Sequence, residues 1–272
     1  DNSSINFSGT FDGNGHTISH LYVKQDAGYH GAGLFGAINS TATIKNLVVD
    51  GAYVESLSSG SATVNGAATV VGSMGYGGTV SGVTVRNSVI KGNRMLGGIA
   101  SYVAGTVENC TVENVTLIAT PDNLTGSYDN GDKVGGIVSN TNTAVKIDGN
   151  RVKNLTAKGY RDIGGIVGAA NQGVVTNNTV EGEINLHVDQ VTNHYGPKDE
   201  NVGSIVGRFL SSGELGSGND DSNATINITR DLLVGKANEE SKLEDVLNDA
   251  EGDVEVNVAK DAEVSWTTGA GI

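Results

Sequence analysis

The sequence predicts an all-β fold, a solenoid of the parallel β-helix type with about 29–39 residues per coil. Two repeated patterns favour it: a short apolar block beside small residues, and apolar residues around Asn or Gly at fixed offsets. The composition agrees, because glycine supplies 40 of 272 residues while aromatic residues are 5% and proline only 2. A conventional globular core would need more large side chains. The hydrophobic share of 37% argues against a disordered chain.

The apolar block is best located by its last small residue, which falls at positions 36, 72, 101, 139, 168 and 207. The successive spacings are 36, 29, 38, 29 and 39 residues, as expected for stacked structural units. A β-propeller or a sandwich is the alternative, but propeller blades repeat at about 40 residues or more with an aromatic signature. A leucine-rich repeat is excluded because its Leu-x-x-Leu-x-Leu frame is missing.

The second pattern follows each of the first five blocks and places Asn or Gly five residues apart between apolar residues. These residues tolerate the left-handed backbone of a sharp corner, and the β-branched residues between them favour short strands. We therefore expect each unit to form one rung of three short strands. The expected corner pairs are Asn46 and Gly51, Gly82 and Asn87, Asn109 and Asn114, Gly149 and Asn154, and Asn177 and Gly182.

The same register predicts two interior stacks, each with one residue from every rung. The first consists of valines only. Its members are Val49, Val85, Val112, Val152 and Val180. The second begins with apolar residues and continues with two asparagines. Its members are Leu47, Val83, Cys110, Asn150 and Asn178. The position of Cys110 predicts a buried, inert thiol.

The repeats predict a β-helix over residues 1–230, and the break in the pattern predicts a C-terminal cap over 231–272. Ser241 to Glu244 fits a helix capping box, and apolar residues at helical spacing follow it. Val254, Val256 and Val258 alternate as in a strand. We expect Trp266 to pack within this cap, which would cover the open end of the solenoid.

The longer spacings contain insertions at about 55–68, 119–133 and 186–201. All three follow the paired corners and precede the next apolar block, so we expect them to emerge along one corner of the solenoid. Loops carry binding residues more often than regular elements do. The ligand-binding residues predicted on the last two insertions are Tyr128, Asp132, His194, Tyr195 and Asp199.

Charge and motifs exclude several functions. The net charge is 17 − 31 = −14, which disfavours nucleic acid and anionic lipid as partners. We expect no membrane-spanning segment and no signal peptide within this sequence. A single cysteine excludes internal disulfides and zinc sites built from a cluster of cysteines. The sequence contains no catalytic or cofactor motif. Asp12 to Gly15 resembles a metal-binding loop but lacks the alternating ligands and terminal Glu of an EF-hand, so we interpret it as a turn. The acidic surface suggests that the chain is sensitive to calcium.

The segment Phe7–Val23, followed by Gly33–Gly36, resembles the GLUG-motif repeats of bacterial surface proteins, which also occur in large adhesins. The resemblance covers about residues 5–230. His20 stands where the family usually has Asn, and we expect it to occupy a corner. The resemblance implies a right-handed parallel β-helix on a secreted or cell-anchored bacterial protein. It implies no active site, because the family is defined by its repeats.

The sequence therefore predicts a non-enzymatic, adhesin-like module that binds an extracellular glycan or a host surface protein. One alternative is a carbohydrate-active β-helix enzyme, a polysaccharide lyase or glycosidase, to which Lys158, Arg161, Asp162 and Arg208 could contribute. Another is a passive stalk for a missing domain, since Asp1 already lies inside the family pattern.

Overall fold

The structure is a computed structural model that describes residues 6–25, 31–57, 66–120, 132–142, 145–188, 201–234 and 253–258, with the backbone only for 230–234 and 253–258. These residues form strands and turns, with no α-helix among them. The strands are β1 Thr10–Asp12, β2 Thr17–Ser19, β3 Tyr22–Gln25, β4 Phe35–Ile38, β5 Thr43–Lys45, β6 Val48–Asp50, β7 Tyr53–Ser56, β8 Ala67–Ala68, β9 Val71–Met74, β10 Thr79–Ser81, β11 Thr84–Arg86, β12 Val89–Gly92, β13 Leu96–Gly97, β14 Ala100–Val103, β15 Thr106–Glu108, β16 Thr111–Ala119, β17 Asp132–Gly135, β18 Val138–Thr141, β19 Lys146–Asp148, β20 Arg151–Gly159, β21 Arg161–Gly164, β22 Val167–Thr176, β23 Thr179–Val188, β24 Val202–Gly203, β25 Val206–Leu215, β26 Asp220–Val234 and β27 Asp253–Val258.

The strands form three sheets in which neighbouring strands pair in parallel. Sheet 1 holds two columns of strands, β1, β5, β10, β15 and β19 beside β4, β9, β14 and β18, and the longer β22 and β25 extend over both columns. Sheet 2 holds β2, β6 and β11 beside β3, β7 and β12, and then β16, β20, β23, β26 and β27. Sheet 3 holds β8, β13, β17, β21 and β24.

One coil therefore passes from sheet 1 to sheet 2 to sheet 3 and returns one level further along, which is a parallel β-helix. The coil formed by β9 to β13 shows the path completely, because β14 then pairs with β9. The predicted solenoid is confirmed. The expectation of three strands per rung is too low, since sheets 1 and 2 each hold two short strands of this coil.

The register places the predicted valine stack in the interior. Val85 pairs with both Val49 and Val112, and Val152 pairs with Val112 and Val180. All five side chains have no exposed surface. Aliphatic side chains of this size fill the narrow interior, which explains how the fold forms with few aromatic residues.

The second predicted stack is also buried, and its asparagines form a hydrogen-bonded ladder. The side-chain oxygen of Asn178 accepts from both the backbone N and the Nδ2 of Asn150, each at 3.0 Å. Asn150 in turn accepts from the backbone N of Cys110 at 3.0 Å. Asn219 continues the ladder beyond Asn178, at 3.0 Å from its Nδ2. The buried amides are therefore paired, as a low-dielectric interior requires.

All ten predicted corner residues have a left-handed backbone, with φ between 51° and 71°. His20 shares this conformation at φ 56°, so its expected corner role is confirmed. Where a glycine follows an asparagine in the next coil, there is a steric reason. A Cβ on Gly182 would lie 2.3 Å from Oδ1 of Asn154 in the preceding coil. The glycine thus provides the space that the neighbouring amide occupies.

The small residues of the apolar block permit close contact between coils. A Cβ on Gly136 would lie 2.0 Å from the carbonyl oxygen of Gly165, and one on Gly165 equally close to that of Ser204. Any larger side chain would push neighbouring coils apart. This close approach explains why the block recurs with small residues at its edges.

The predicted cap lies largely outside the described residues, including the expected α-helix over 241–250 and Trp266. The strand expected at Val254 to Val258 is confirmed as β27, which pairs in parallel with β26 and so extends sheet 2. Among the residues that the structure describes, no helix is long and apolar enough to cross a bilayer. The right-handed winding stays a prediction.

Candidate functional site: the insertion corner

The three insertions leave sheet 2 and enter sheet 3 at the same corner of the coil. They connect β7 to β8, β16 to β17 and β23 to β24. Gly92 in the intervening coil pairs with both Ser56 and Ala119, where the first two insertions begin, and Gly159 pairs with Val188, where the third begins. The expected common corner is confirmed. We call this junction between sheets 2 and 3 the insertion corner.

The intervening coils cross the insertion corner without an insertion. Residues 93–95 connect β12 to β13, and Tyr160 alone connects β20 to β21. Insertions therefore emerge on alternate coils, with a tight crossing between neighbouring ones. Because strands in adjacent coils are about 4.8 Å apart, successive insertion bases lie about 10 Å apart along the solenoid.

A buried charged cluster lies at the bases of these insertions. Asp132, the first residue of β17, has no exposed surface. Its carboxylate lies 3.5 Å from Nη2 of Arg161 in the next coil and 4.0 Å from Nε of Arg94 in the preceding coil. It also pairs with Lys133. Arg94 and Arg161 are 4% and 9% exposed.

The Asp132 carboxylate therefore connects three consecutive coils at the point where the second insertion ends. Removal of one member of a buried ion pair typically costs about 3–5 kcal/mol, because the other charge is left uncompensated. The cluster consequently holds the base of the insertion in a defined position, whatever the insertion itself binds.

Asp162 follows Arg161 in β21, at the same corner, and is 1% exposed. Asn201 Nδ2 donates to its Oδ1 at 3.1 Å, and Nη1 of Arg208 lies 3.8 Å from the same oxygen. Burial raises the pKa of Asp162, and the nearby negative charge of Asp132 raises it further. Arg208 and Arg161 oppose this rise.

The backbone turns in the same way in three successive coils of this corner. Met95, Lys133 and Asp162 have φ values of 48°, 60° and 55°. The sequence did not predict these left-handed positions, because none of the three residues is Asn or Gly. Each of the three lies two residues before a Gly-Gly-Ile segment, and this constant position is the signal that could have located them.

Of the predicted ligand-binding residues, the structure describes Asp132 alone. It lies at the expected corner, but its carboxylate is buried in the ion-pair cluster rather than presented to solvent. Tyr128, His194, Tyr195 and Asp199 lie outside the described residues. Their roles stay predictions.

The structure brings together three of the four residues considered for an enzyme. Arg161, Asp162 and Arg208 meet at the insertion corner, whereas Lys158 lies in sheet 2, in register with His187. Glycoside hydrolysis uses two carboxyl groups that contact the substrate. Asp132 and Asp162 are 0% and 1% exposed, so neither meets this requirement in the arrangement described.

The other candidate chemical groups have structural contacts. Asp12 Oδ1 accepts from the backbone N of Asn14 at 2.9 Å and from Asn46 Nδ2 at 3.1 Å, so the expected turn is confirmed. Burial raises the pKa of Cys110 to about 12, and its thiol donates to the carbonyl oxygen of Glu108 at 3.3 Å. Within the described ranges, no group of three His, Cys, Asp or Glu residues could hold a metal ion.

Comparisons with known proteins give one partial likeness. The chain is 38% identical to Halomucin of Haloquadratum walsbyi over 97 residues, which are 36% of this chain and 1% of Halomucin. The chain thus spans a very small part of that protein. No protein-family model matches, and no solved structure matches. The resemblance to GLUG-motif repeats stays a prediction.

Proposed function

We propose that this chain is a non-enzymatic display module of a secreted or surface-anchored bacterial protein, which holds ligand-binding insertions along one corner of a β-helix. Its ligand is an extracellular glycan or a host surface protein, as for an adhesin. The observation that carries the proposal is the insertion corner itself, where three insertions on alternate coils leave the stacked strands at the same corner.

Several further features support this proposal. The buried cluster around Asp132 ties the residue at which the second insertion ends to both neighbouring coils. The net charge of −14 suits a protein exposed to an aqueous exterior and disfavours nucleic acid. The partial likeness to Halomucin, a mucin by name, and the GLUG-like repeats both favour an extracellular location.

The test uses loop replacement within the intact chain. In the variant, the second insertion is replaced by the three-residue crossing Asn93-Arg94-Met95 that the preceding coil uses at the same corner. The control variant carries Lys153→Ala on the outer face of sheet 2, where Lys153 pairs with Glu113. Both are applied to a panel of polysaccharides and glycoproteins, and retained ligand and released product are measured by mass spectrometry.

We expect the wild type and the control to retain a ligand without product, and the loop replacement to lose it while its circular dichroism stays that of a β-helix. Unchanged retention after replacement of each insertion in turn would contradict the display function. Product release would instead support the enzyme. A wild type that retains nothing and releases nothing would favour the passive stalk.

A further inference from the structure

Two tyrosines on the outer face of sheet 2 are in contact across neighbouring coils. Tyr22 in β3 pairs in register with Tyr53 in β7, and their ring centroids lie 5.5 Å apart with an interplanar angle of 10°. Of the ring contacts among the described residues, this is the only one between two tyrosines. The contact joins two described coils and does not depend on what lies beyond either of them.

The ring of Tyr53 has a different neighbour on each face. Tyr22 covers one face. On the other side lies Nζ of Lys91 in the following coil, 5.7 Å from the ring centre, a cation–π contact. A tyrosine of a second chain therefore finds neither face of Tyr53 open. Tyr22 is the tyrosine partner that the fold provides.

Glu55 is placed to accept the phenolic proton of Tyr53. Burial raises the pKa of Tyr53, and the Glu55 carboxylate, to which the Tyr53 hydroxyl donates a hydrogen bond, raises it further. Lys24 holds the same carboxylate in an ion pair at 3.6 Å. Tyr53 is thus a neutral phenol at neutral pH with a base at its hydroxyl. A phenol that loses an electron becomes a strong acid, so this base takes the proton as the electron leaves.

We propose that Tyr22 and Tyr53 form an oxidative cross-linking site, at which a one-electron oxidant couples the two rings into dityrosine and joins their coils covalently. The oxidant is hydrogen peroxide acting through a haem peroxidase. This inference goes beyond the proposed function and does not depend on it.

The reaction balances with one molecule of hydrogen peroxide. Each tyrosine loses one electron and its phenolic proton to form a phenoxyl radical, and the peroxide takes up both electrons and both protons to give two molecules of water. The radicals combine through a C–C bond between one Cε atom of each ring. The hydrogen on each of these carbons then moves to the phenolic oxygen, which restores both phenols. The chain ends two hydrogen atoms lighter.

The fold favours this coupling over any other. Tyr22 and Tyr53 are 31 residues apart in the sequence, so they meet rarely in an unfolded chain, whereas the register holds their rings in contact. The new bond would close the loop between them in the unfolded state. Cross-linking should therefore stabilise the fold, as a disulfide across a loop of this length does.

The experiment treats the whole chain with a haem peroxidase and limiting hydrogen peroxide. Dityrosine fluorescence follows the reaction, and peptide mass spectrometry identifies which tyrosines are joined. The variants are Tyr22→Phe and Tyr53→Phe, which keep the ring but cannot form a phenoxyl radical. Tyr76→Phe is the matched control, because Tyr76 is 61% exposed and lies in the turn between β9 and β10. Circular dichroism checks the fold of each variant, and the same reaction in urea measures coupling without the fold.

We expect the wild type and Tyr76→Phe to give a peptide pair joined between Tyr22 and Tyr53 within one chain, and the other two variants to lack it. In urea its yield should fall about tenfold or more, because the effective concentration of the two rings is lost. The cross-linked chain should melt at a higher temperature than the untreated chain.

A further variant tests the proton acceptor. Glu55→Gln should slow coupling near neutral pH, where the Tyr53 hydroxyl must lose its proton. It should leave the rate unchanged well above the ordinary tyrosine pKa of about 10, where no phenolic proton remains. An equal effect at every pH would contradict the role of Glu55 as the base.

Absence of the joined Tyr22 and Tyr53 peptides from the folded wild type would overturn the site. Dityrosine that joins separate chains only, or a yield that is unchanged in urea, would overturn it as well. An unchanged melting temperature after complete coupling would contradict the stabilising effect. None of these outcomes bears on the display function, which the ligand panel tests separately.

Discussion

Asparagine has two separate roles in this protein, depending on which side of the coil it occupies. At the corners it adopts a left-handed backbone, as Asn109 does at φ 53°. In the interior, Asn150, Asn178 and Asn219 pair with the backbone of neighbouring coils and with one another. The interior ladder is a network in which each oxygen accepts from the preceding coil. Removing one of these asparagines should therefore leave a donor of the preceding coil without its acceptor.

The interior ladder leads to the first prediction. Asn178→Val should lower the free energy of unfolding by about 1–3 kcal/mol, because the buried backbone N of Asn150 loses its acceptor. Urea denaturation followed by circular dichroism measures the change. The control is Asn185→Ala, which removes a solvent-facing contact with Asn227 and should change stability by less than about 0.5 kcal/mol. Equal losses for both variants would contradict the ladder's role.

The second prediction concerns two aspartates whose pKa values shift in opposite directions. Burial raises the pKa of Asp162, so the folded state holds its proton more tightly than the unfolded state does. Stability from this group is present below the ordinary value of about 3.8 and lost as the pH rises through the folded pKa. Asp162→Asn should therefore gain stability relative to the wild type as the pH rises from about 4 to 7.

The pKa of Asp12 shifts in the opposite direction. Its pKa is lowered, first by the hydrogen bond from the backbone N of Asn14 and then by Asn46. The stability that it contributes is present above about 3.8 and lost as the pH falls through the folded pKa. Asp12→Asn should thus be less stable than the wild type near neutral pH, with the difference vanishing in acid. Thermal melts at several pH values test both, and shifts of the same sign would be inconsistent with these environments.

The corner columns show how neighbouring coils determine each other's residues. Gly182 has φ 71°, and Asn154 of the preceding coil occupies the space beside its Cα. At this position glycine accommodates the neighbour's side chain as well as the left-handed backbone. The two positions form one structural unit across coils, although 28 residues separate them in the sequence.

The third prediction is a non-additive pair at this corner. Gly182→Ala should cost about 1–3 kcal/mol, because its Cβ would lie 2.3 Å from Asn154 Oδ1. In an Asn154→Gly background the same substitution should cost less, a coupling that a double-mutant cycle measures. Gly51→Ala is the control, since its φ is 69° but its nearest neighbour, Cδ2 of His20, is 3.5 Å away. Equal costs at the two glycines would leave only backbone strain as the cause.

The charge of the whole chain opposes its compact state. The chain as a whole carries a net charge of −14, and the ion pairs among the described residues include exposed ones, such as Lys146 with Glu108 and Asp148. Mutual repulsion among the surplus carboxylates destabilises the folded chain, and salt screens it within a Debye length of about 10 Å at 0.1 M. Screening should outweigh the loss of a few exposed pairs, which contribute little each.

The fourth prediction is that the melting temperature rises as NaCl increases from about 10 to 500 mM, the range over which the Debye length falls several-fold. Differential scanning calorimetry measures it. Melts in CaCl2 and MgCl2 at matched ionic strength separate screening from specific binding, and equal values are expected from the described residues. A larger rise with calcium would indicate a site in the insertions. A melting temperature independent of NaCl would contradict the repulsion argument.

The insertion corner shows which features sequence patterns could predict. Their common exit was predictable, because a constant position within a repeat becomes a constant position on the coil. The burial of Asp132 was not, since it depends on Arg94 and Arg161 in the adjacent coils. The Tyr22 and Tyr53 pair was available in principle, as both precede aligned valines, but only the register made it a stack.

The sequence alone determined the β-helix, its corners at residues such as Asn46 and Gly51, and its valine interior, because each follows from local conformational preference repeated at a regular spacing. The tertiary structure decided the continuation of the ladder at Asn219, the burial of Asp132 and Asp162, and the exposed tyrosine stack. These depend on which side chains face one another in neighbouring coils. Which side chains meet is decided by the register between stacked coils, and the sequence of a single repeat does not contain that register.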